Sequence, residues 1–190
     1  MTKKKILLTR RWPDTVEKRL SADYDVTLNT DDVPMTVDDI GTSLNDHDAV
    51  CPTVSDKLPA SIFTGGHRAR ILGNYGVGFN HIDIAAATGA GLTVTNTPGV
   101  LTDCTADTAL TLMLMLARRA GEGERELRAG KWAGWRPTHM MGTRLGGKVL
   151  GIIGMGRIGI ATARRAQAAF GMKVVFYNRS DVSAEKLDGL

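Results

Sequence analysis

The chain has 190 residues, of which 43% are hydrophobic and 23% charged, a balance typical of a folded globular protein. The net charge of +4 is modest, and the basic residues are not interleaved with aromatic ones, so we expect no nucleic-acid partner. The apolar run at residues 6–8 is too short for a leader or a membrane span. Cys51 and Cys104 fit no metal spacing and favour a reducing compartment. We therefore expect a cytoplasmic protein with no metal site and no membrane partner.

Short β-rich runs alternate with helical patterns through the first hundred residues. The predicted strands are residues 5–9, 24–28, 49–54, 70–74 and 92–95. The predicted helices are residues 14–21, 37–44 and 82–88. Pro52 interrupts the third strand, so we expect the hydrogen-bonded ladder to end there. The alternation predicts an α/β protein with a parallel sheet over residues 1–100.

A domain boundary is predicted at residues 96–99, which have the composition of a turn. The next predicted helix, residues 105–120, is apolar around most of its circumference, so it has to be buried between two layers. Those layers are two domains or two subunits, and the pattern does not choose between them. Residues 121–147 are predicted as a helix end and an extended arm. Trp132 and Trp135 on that arm favour packing against a partner subunit.

A glycine pattern typical of dinucleotide sites is formed by Gly154, Gly156 and Gly159. It lies between a predicted buried strand at residues 148–153 and a predicted helix at residues 157–170. This setting distinguishes the pattern from a chance match, because the pyrophosphate site needs a strand, a tight turn and a helix N-terminus in that order.

Each position of the pattern has a physical role. Gly154 makes the tight turn, Gly156 lets the backbone approach a pyrophosphate, and Gly159 lets the helix pack closely on the sheet. Arg157 and Ile158 occupy the first helical turn, where free N–H groups and the positive end of the helix dipole favour phosphate. The sequence therefore predicts a dinucleotide-binding unit.

The end of the next predicted strand, residues 173–177, indicates which dinucleotide is bound. NAD enzymes usually place an acidic residue there to accept from the ribose 2′-hydroxyl. Here Asn178, Arg179 and Ser180 follow the strand, and the first carboxylate is Asp181. Arg179 and Ser180 could bind a 2′-phosphate, although a surface arginine after a strand is the alternative. We predict that NADP(H) is preferred, with NAD(H) possible.

A second glycine-rich turn follows the fourth predicted strand. Gly76 and Gly78 flank Val77, so the backbone there is free to turn its N–H groups outward. Concave sets of backbone amides bind carboxylates and other anions. A simple strand-to-helix turn is the alternative, and the two are equally consistent with these residues alone.

Four segments together resemble the D-isomer-specific 2-hydroxyacid dehydrogenases, and the glyoxylate/hydroxypyruvate reductase branch above all. They are residues 76–83 (GVGFNHID), 96–107 (NTPGVLTDCTAD), 145–159 (LGGKVLGIIGMGRIG) and 177–180 (YNRS). The resemblance extends over essentially the whole chain. It implies a flavodoxin-like substrate domain at residues 1–100 and the start of a Rossmann NAD(P)-binding domain at residues 101–190, with the long helix and the arm forming a homodimer contact.

The resemblance also implies an activity and a set of roles. Val77 and Gly78 would hold the substrate carboxylate through their backbone amides, and Thr105 would lie near the nicotinamide half of the cofactor. The implied reaction is NADPH-preferring reduction of a small 2-oxo acid, such as glyoxylate or hydroxypyruvate, to a D-2-hydroxy acid. A non-catalytic, dinucleotide-sensing corepressor-like protein and a formate- or phosphite-oxidising enzyme are the alternatives.

The chemistry of this family needs an arginine and a Glu–His pair, which in relatives lie beyond the second Rossmann strand. We expect those residues beyond Leu190, and therefore expect the chain to be part of a longer polypeptide and inactive alone. His81 lies on the predicted substrate loop and is expected to face solvent or to pack. The remaining histidines are in predicted loops with no matching carboxylate partner; they are His47, His67 and His139. We assign no catalytic acid or base.

Overall fold

The computed structural model describes residues 2–190 and divides into two compact units, one ending at Pro98 and the other running from Gly99 to Leu190. The strands of the first unit are Lys5–Leu8 (β1), Asp25–Thr27 (β2), Ala49–Cys51 (β3), Ile71–Gly73 (β4) and Thr93–Thr95 (β5). Its helices are Asp14–Asp23 (α1), Val37–Asp46 (α2) and Ile84–Gly89 (α3), with a 3-10 turn at Ala60–Phe63.

The first unit is built on one parallel sheet with the strand order β2-β1-β3-β4-β5. This is the flavodoxin-like order of doubly wound α/β proteins, so the predicted fold class is confirmed. Every predicted strand and helix of this unit is present, and the bounds differ by at most three residues. β3 ends at Cys51 because Pro52, the next residue, has no N–H to donate.

The core of the first unit joins the central strands to α2, the 3-10 turn and α3. Alternate strand residues point to it, as the period of two in a strand requires. The largest buried side chains of this cluster are Leu7, Ile40, Leu44, Val50, Leu58, Ile62, Phe63, Leu72, Ile82 and Leu92. The sheet is therefore held rigidly enough to position the loops at the carboxyl ends of its strands.

The second unit contains Thr102–Ala117 (α4), Ala120–Arg128 (α5), Val149–Ile153 (β6), Arg157–Phe170 (α6), Lys173–Tyr177 (β7) and a 3-10 turn at Ala184–Leu187. β6 and β7 pair in parallel, with Val149 opposite Lys173 and Ile153 opposite Tyr177. The predicted strand–helix–strand unit is confirmed. None of the helices formed by residues 2–190 has both the length and the apolar character needed to cross a membrane.

α4 packs against α6 along one side. Ala106 of α4 and Ala163 and Ala166 of α6 are buried, and small side chains allow two helices to approach closely. Arg165 of α6 pairs with Asp103 at 2.7 Å and also contacts Asp107 of α4. These contacts fix the start of α4 beside α6.

Within the single chain α4 is not buried all round: Ala106 is its only buried residue, and Leu116 is 81% exposed. Its burial between two domains or two subunits stays a prediction. The helix end predicted within residues 121–147 is a separate helix, α5, and the extended segment begins after Arg128. The break between α4 and α5 falls at Arg119, whose φ of 54° lies in the left-handed region.

Candidate functional site

The turn between β6 and α6 has the geometry that a pyrophosphate needs. Gly154 has a φ of 98°, which favours glycine, and its N–H donates to the carbonyl oxygen of Tyr177 at 2.8 Å. Gly159 is buried, and a Cβ there would collide with the carbonyl oxygen of Gly154. The helix can therefore lie this close to the turn only with glycine at position 159.

The N-terminus of α6 presents unpaired donors. Gly156 caps the helix, and a Cβ added to it would meet no atom within 4 Å. Within residues 2–190, the backbone N–H groups of Gly156, Arg157 and Ile158 donate no hydrogen bond. Together with the positive end of the helix dipole, these groups form an anion site with open space in front of it.

Asn178 connects the end of β7 to the glycine turn. Its Oδ1 accepts a hydrogen bond from the backbone N–H of Met155 at 3.0 Å, and its Nδ2 donates to the carbonyl oxygen of Ser180 at 2.7 Å. The side chain is thus used within the protein. Arg179 and Ser180 are exposed, so they are the side chains of this segment that can reach a ribose or a 2′-phosphate.

A cavity of about 800 Å³ adjoins the glycine turn and the end of β7, within the size range of small-molecule sites. Its charged lining residues are Asp103, Arg157, Arg164, Arg165, Asp181 and Lys186. Since Arg165 is paired with the carboxylates of α4, the charge remaining at this cavity is mainly positive. That balance suits a phosphorylated ligand. Thr105 is exposed in the first turn of α4.

In the loop after β4, the carbonyl groups of residues 76–78 all accept hydrogen bonds from within the chain. Asn74 Nδ2 donates to the carbonyl oxygens of Gly76 at 3.2 Å and Gly78 at 2.9 Å, and Asn96 Nδ2 donates to that of Val77 at 2.9 Å. The N–H groups of Val77 and Gly78 donate no hydrogen bond within residues 2–190. The loop therefore presents amide donors of the kind that bind a carboxylate.

Asn74 and Asn96 shape this loop but were not predicted as site residues. Their positions were a usable signal, because each directly follows a strand and the carboxyl ends of parallel strands meet at one edge of the sheet. The same edge holds Asp56, whose Oδ2 accepts from Thr9 Oγ1 at 2.6 Å and from the backbone N–H of Thr53 at 2.7 Å. This edge is thus lined by polar groups.

His81 packs at this edge, in agreement with the prediction that it faces solvent or packs. Its Nε2 lies 3.0 Å from Asn74 Oδ1. Burial lowers the pKa of His81, and the negative charge of Asp56 opposes that shift in part. Two of the other histidines have neutral partners, namely Thr27 Oγ1 for His47 and Asn45 Oδ1 for His67.

The prediction that His139 lacks a carboxylate partner is wrong. Its Nε2 lies 2.8 Å from Glu126 Oε2, and Arg136 also contacts Glu126 at 3.5 Å. The prediction failed because Glu126 lies on α5, a separate helix that was not predicted in this glycine-rich segment. Among residues 2–190, no group of three His, Cys, Asp or Glu side chains is placed to hold a metal ion.

The second unit is thus of the Rossmann dinucleotide-binding class, with a strand, a glycine turn, a helix N-terminus and a second parallel strand. Residues 110–189 match the NAD binding domain of the D-isomer specific 2-hydroxyacid dehydrogenases. Residues 110–189 thus form an NAD binding domain of the D-isomer-specific 2-hydroxyacid dehydrogenase type, and the chain is similar to members of that family over almost all of its length.

Individual relatives agree with this assignment. The chain is 40% identical to a glyoxylate reductase of Korarchaeum cryptofilum over 93% of this chain and 53% of the relative. It is 37% identical to a glycerate dehydrogenase of Hyphomicrobium methylovorum over 97% of this chain and 57% of the relative. A crystal structure from Polaromonas sp. JS6 66, described as a D-isomer specific 2-hydroxyacid dehydrogenase, matches at 35% identity with a TM-score of 0.88, over 98% of this chain and 58% of that one. The chain therefore spans about half the length of these relatives.

Proposed function

We propose that this chain is part of an NADPH-preferring reductase of small 2-oxo acids, with glyoxylate and hydroxypyruvate as the first candidates. In that reaction a hydride passes from the nicotinamide to the oxo carbon and a proton reaches the oxo oxygen, which gives a 2-hydroxy acid and NADP⁺. A glyoxylate reductase and a glycerate dehydrogenase among the relatives support this substrate class. Hydroxypyruvate is the acid that forms when glycerate is oxidised at C2.

The observation that carries the proposal is the conformation of the loop at residues 76–78. Its three carbonyl oxygens accept hydrogen bonds from within the chain, whereas the N–H groups of Val77 and Gly78 donate none. A small 2-oxo acid offers one group that needs two such donors, its carboxylate. We therefore assign carboxylate binding to Val77 and Gly78.

The cofactor preference is supported by the charges around the glycine turn. No carboxylate follows β7 until Asp181, while Arg179 and Ser180 are exposed at its end. An arginine binds a phosphate through two parallel hydrogen bonds, and a carboxylate in the same place would repel it. In the same assignment Gly154, Gly156 and Gly159 shape the pyrophosphate site, with the amides of Arg157 and Ile158 as donors, and Thr105 lies near the nicotinamide.

Two measurements test the proposal. Titration of the chain with NADPH and NADH should give a dissociation constant for NADPH at least tenfold lower, and Arg179→Ala should remove most of the difference. A higher affinity for NADH would refute the preference. On the full protein, NADPH oxidation should depend on added glyoxylate or hydroxypyruvate, and the absence of turnover with every short 2-oxo acid would refute the activity.

We also infer that the protein is a cytoplasmic homodimer. Both cysteines are free, which suits a reducing compartment. Large apolar side chains are exposed on α4 and on the segment after α5, and contiguous surfaces of this kind mark protein interfaces. They are Leu112, Met115, Leu116, Trp132, Trp135 and Met141. A second copy of the chain would cover them.

A further inference from the structure

We propose that Asn74 and His81 are positioning residues that hold the loop at residues 76–78 in its anion-binding conformation. Neither residue needs to touch the ligand. Asn74 would fix the directions of the backbone peptides, and His81 would fix the orientation of the Asn74 amide. The inference rests on the proposed function only for the identity of the ligand as a carboxylate.

The geometry of the peptide bond links each carbonyl group of the loop to the N–H group that follows it. In a trans peptide the C=O of one residue and the N–H of the next point in opposite directions in one plane. Holding the carbonyl of Gly76 against Asn74 therefore turns the N–H of Val77 away from Asn74. In the same way, the bond from Asn96 to the carbonyl of Val77 turns the N–H of Gly78 outward. The side-chain amides, together with the backbone N–H of Thr97, which also donates to the Gly76 carbonyl at 3.0 Å, thus set where the loop's free donors point.

The Asn74 side chain is buried. Its exposed fraction is 2%, and its Nδ2 donates to two carbonyl oxygens, those of Gly76 and Gly78. Both hydrogens of the amide are therefore used inside the loop. Without this side chain, the Gly78 carbonyl would lose its partner within residues 2–190, and the Gly76 carbonyl would keep only the backbone N–H of Thr97 at 3.0 Å. The peptide between Gly76 and Val77 would then be held by one hydrogen bond instead of two, so the direction of the Val77 N–H would be less firmly fixed.

The contact with His81 sets the orientation of the Asn74 amide. A terminal amide can rotate by half a turn with little change in shape, which would place its oxygen against the two carbonyls. His81 Nε2 lies 3.0 Å from Asn74 Oδ1, and only a donor is favourable at that distance from this oxygen. Asn74 Nδ2 donates to the loop carbonyls, so Oδ1 is the atom that faces His81. Because Oδ1 can only accept, the ring proton of His81 is assigned to Nε2.

The backbone of His81 is itself fixed. Its carbonyl accepts from the N–H of Leu58 at 2.8 Å, and the following residue, Ile82, is buried in the core. Burial also lowers the pKa of the imidazole, which favours the neutral ring. A neutral ring with the proton on Nε2 supplies the one donor that Asn74 Oδ1 requires.

The experiment uses the ¹⁵N-labelled chain and oxalate, a two-carbon dicarboxylate, as the probe. The variants are His81→Leu, Asn74→Ala and His81→Gln, the last of which restores a donor where Nε2 lies. His47→Leu is the matched control, because His47 bonds Thr27 Oγ1 and the carbonyl of Ser43 rather than the loop. Oxalate affinity is measured from the amide shifts of Val77 and Gly78, and Asn74 side-chain hydrogen exchange is measured in parallel.

We expect His81→Leu and Asn74→Ala to weaken oxalate binding at least fivefold, while His81→Gln and His47→Leu stay within twofold of the parent chain. Asn74 side-chain exchange should accelerate in His81→Leu and not in His81→Gln. Because Asn74→Ala removes a buried group and can unfold the unit, the half-buried position 81 is the decisive one. Unchanged oxalate affinity and unchanged Asn74 exchange in His81→Leu would overturn the inference.

The same data separate the inference from the proposed function. If the parent chain binds oxalate and His81→Leu binds it equally well, the positioning role fails and the carboxylate site stands. If the parent chain does not bind oxalate but Asn74 exchange accelerates in His81→Leu, the positioning role stands and the carboxylate assignment fails.

Discussion

Asn178 accepts a hydrogen bond from the backbone N–H of Met155 through Oδ1 at 3.0 Å, so the end of β7 is tied directly to the glycine turn after β6. Met155 is buried, and the two residues lie 23 positions apart in the chain. The residue that in NAD enzymes is typically acidic is here an amide that braces the phosphate-binding turn. Under the proposed function, Asn178 would therefore link the choice of cofactor to the geometry of the glycine turn.

Asn178→Asp tests this link. The aspartate keeps an oxygen for the Met155 N–H but loses the donation to Ser180 and adds a negative charge next to the proposed 2′-phosphate position. We expect NADPH affinity to fall at least tenfold and NADH affinity to stay or improve, as measured by fluorescence titration. Asn178→Ala is the control: it removes the brace, so both affinities should fall together. Equal losses for both cofactors in Asn178→Asp would contradict the prediction.

Gly156 and Gly159 should respond differently to one added methyl group. At Gly156 the Cβ meets no atom within 4 Å, so Gly156→Ala should leave the unfolding free energy within about 0.5 kcal/mol while lowering dinucleotide affinity at least tenfold. At Gly159 the Cβ would collide with the Gly154 carbonyl oxygen, so Gly159→Ala should lose both affinity and about 1–3 kcal/mol of stability. Thermal unfolding and NADPH titration check this pair, and full affinity in Gly156→Ala would exclude a close approach of the pyrophosphate.

A charged residue introduced on α4 should disrupt the proposed dimer. Leu116 is 81% exposed, so Leu116→Glu should cost the single chain little but should place a charge in the proposed interface. We expect analytical ultracentrifugation to show a dimer for the parent chain and a monomer for the variant. Val33→Glu, at an exposed apolar position of the first unit, should leave the dimer intact. A parent chain that is monomeric at every concentration would contradict the prediction.

The two cysteines should differ in reactivity. Burial raises the pKa of the Cys51 thiol to about 11, with a hydrogen bond from the N–H of Gly73 opposing the shift, whereas Cys104 is exposed. At pH 8 little Cys51 is present as the reactive thiolate. A thiol reagent should therefore modify Cys104 rapidly and Cys51 slowly, as followed by mass spectrometry. Cys104→Ser should leave only the slow reaction, and a fast reaction in that variant would be inconsistent with the buried position.

Asp48 should make the first unit sensitive to acid. Arg68 at 2.9 Å and the backbone N–H of Lys5 at 2.8 Å lower the pKa of Asp48 from 3.8 to about 2. A carboxyl group with a depressed pKa stabilises the fold above its unfolded pKa, and this contribution is lost as the pH falls through the folded pKa. Asp48→Asn should therefore flatten the fall in unfolding free energy between about pH 4 and pH 2. Arg68→Ala should flatten it in part, and an unchanged slope in Asp48→Asn would contradict the assignment.

Most of the architecture was predictable from local patterns. The strands and helices of the first unit, the strand–helix–strand of the second and the position of the glycine turn all follow from apolar periodicity and from glycine placement. α5 was not predicted as a separate helix, because Gly121 and Gly123 indicated a helix end followed by an arm. Within that helix, Glu124 and Arg128 lie one turn apart and form an exposed ion pair, a contact that adds a little to helix stability.

The candidate site was predictable only at the level of the backbone. The spacing of Gly76 and Gly78 indicated a turn that exposes amides, but it could not show which side chains hold the turn. The bonds from Asn74 depend on a side chain folding back over residues two and four positions later, and the contact with His81 depends on the path of the chain after the loop. Such contacts are set by tertiary structure rather than by periodicity.

The strand pairing of the first sheet has a consequence for synthesis of the protein. All of its ladders lie between Lys5 and Thr95, so no strand needs a partner from the second unit and the sheet can form while that unit is being translated. At about 5–20 residues per second, the ribosome needs roughly 5–20 s to add the residues from Gly99 to Leu190. That interval is long compared with the folding time of most domains of this size. The loop that carries Val77 and Gly78 can therefore be assembled on the nascent chain while the glycine turn is still being made.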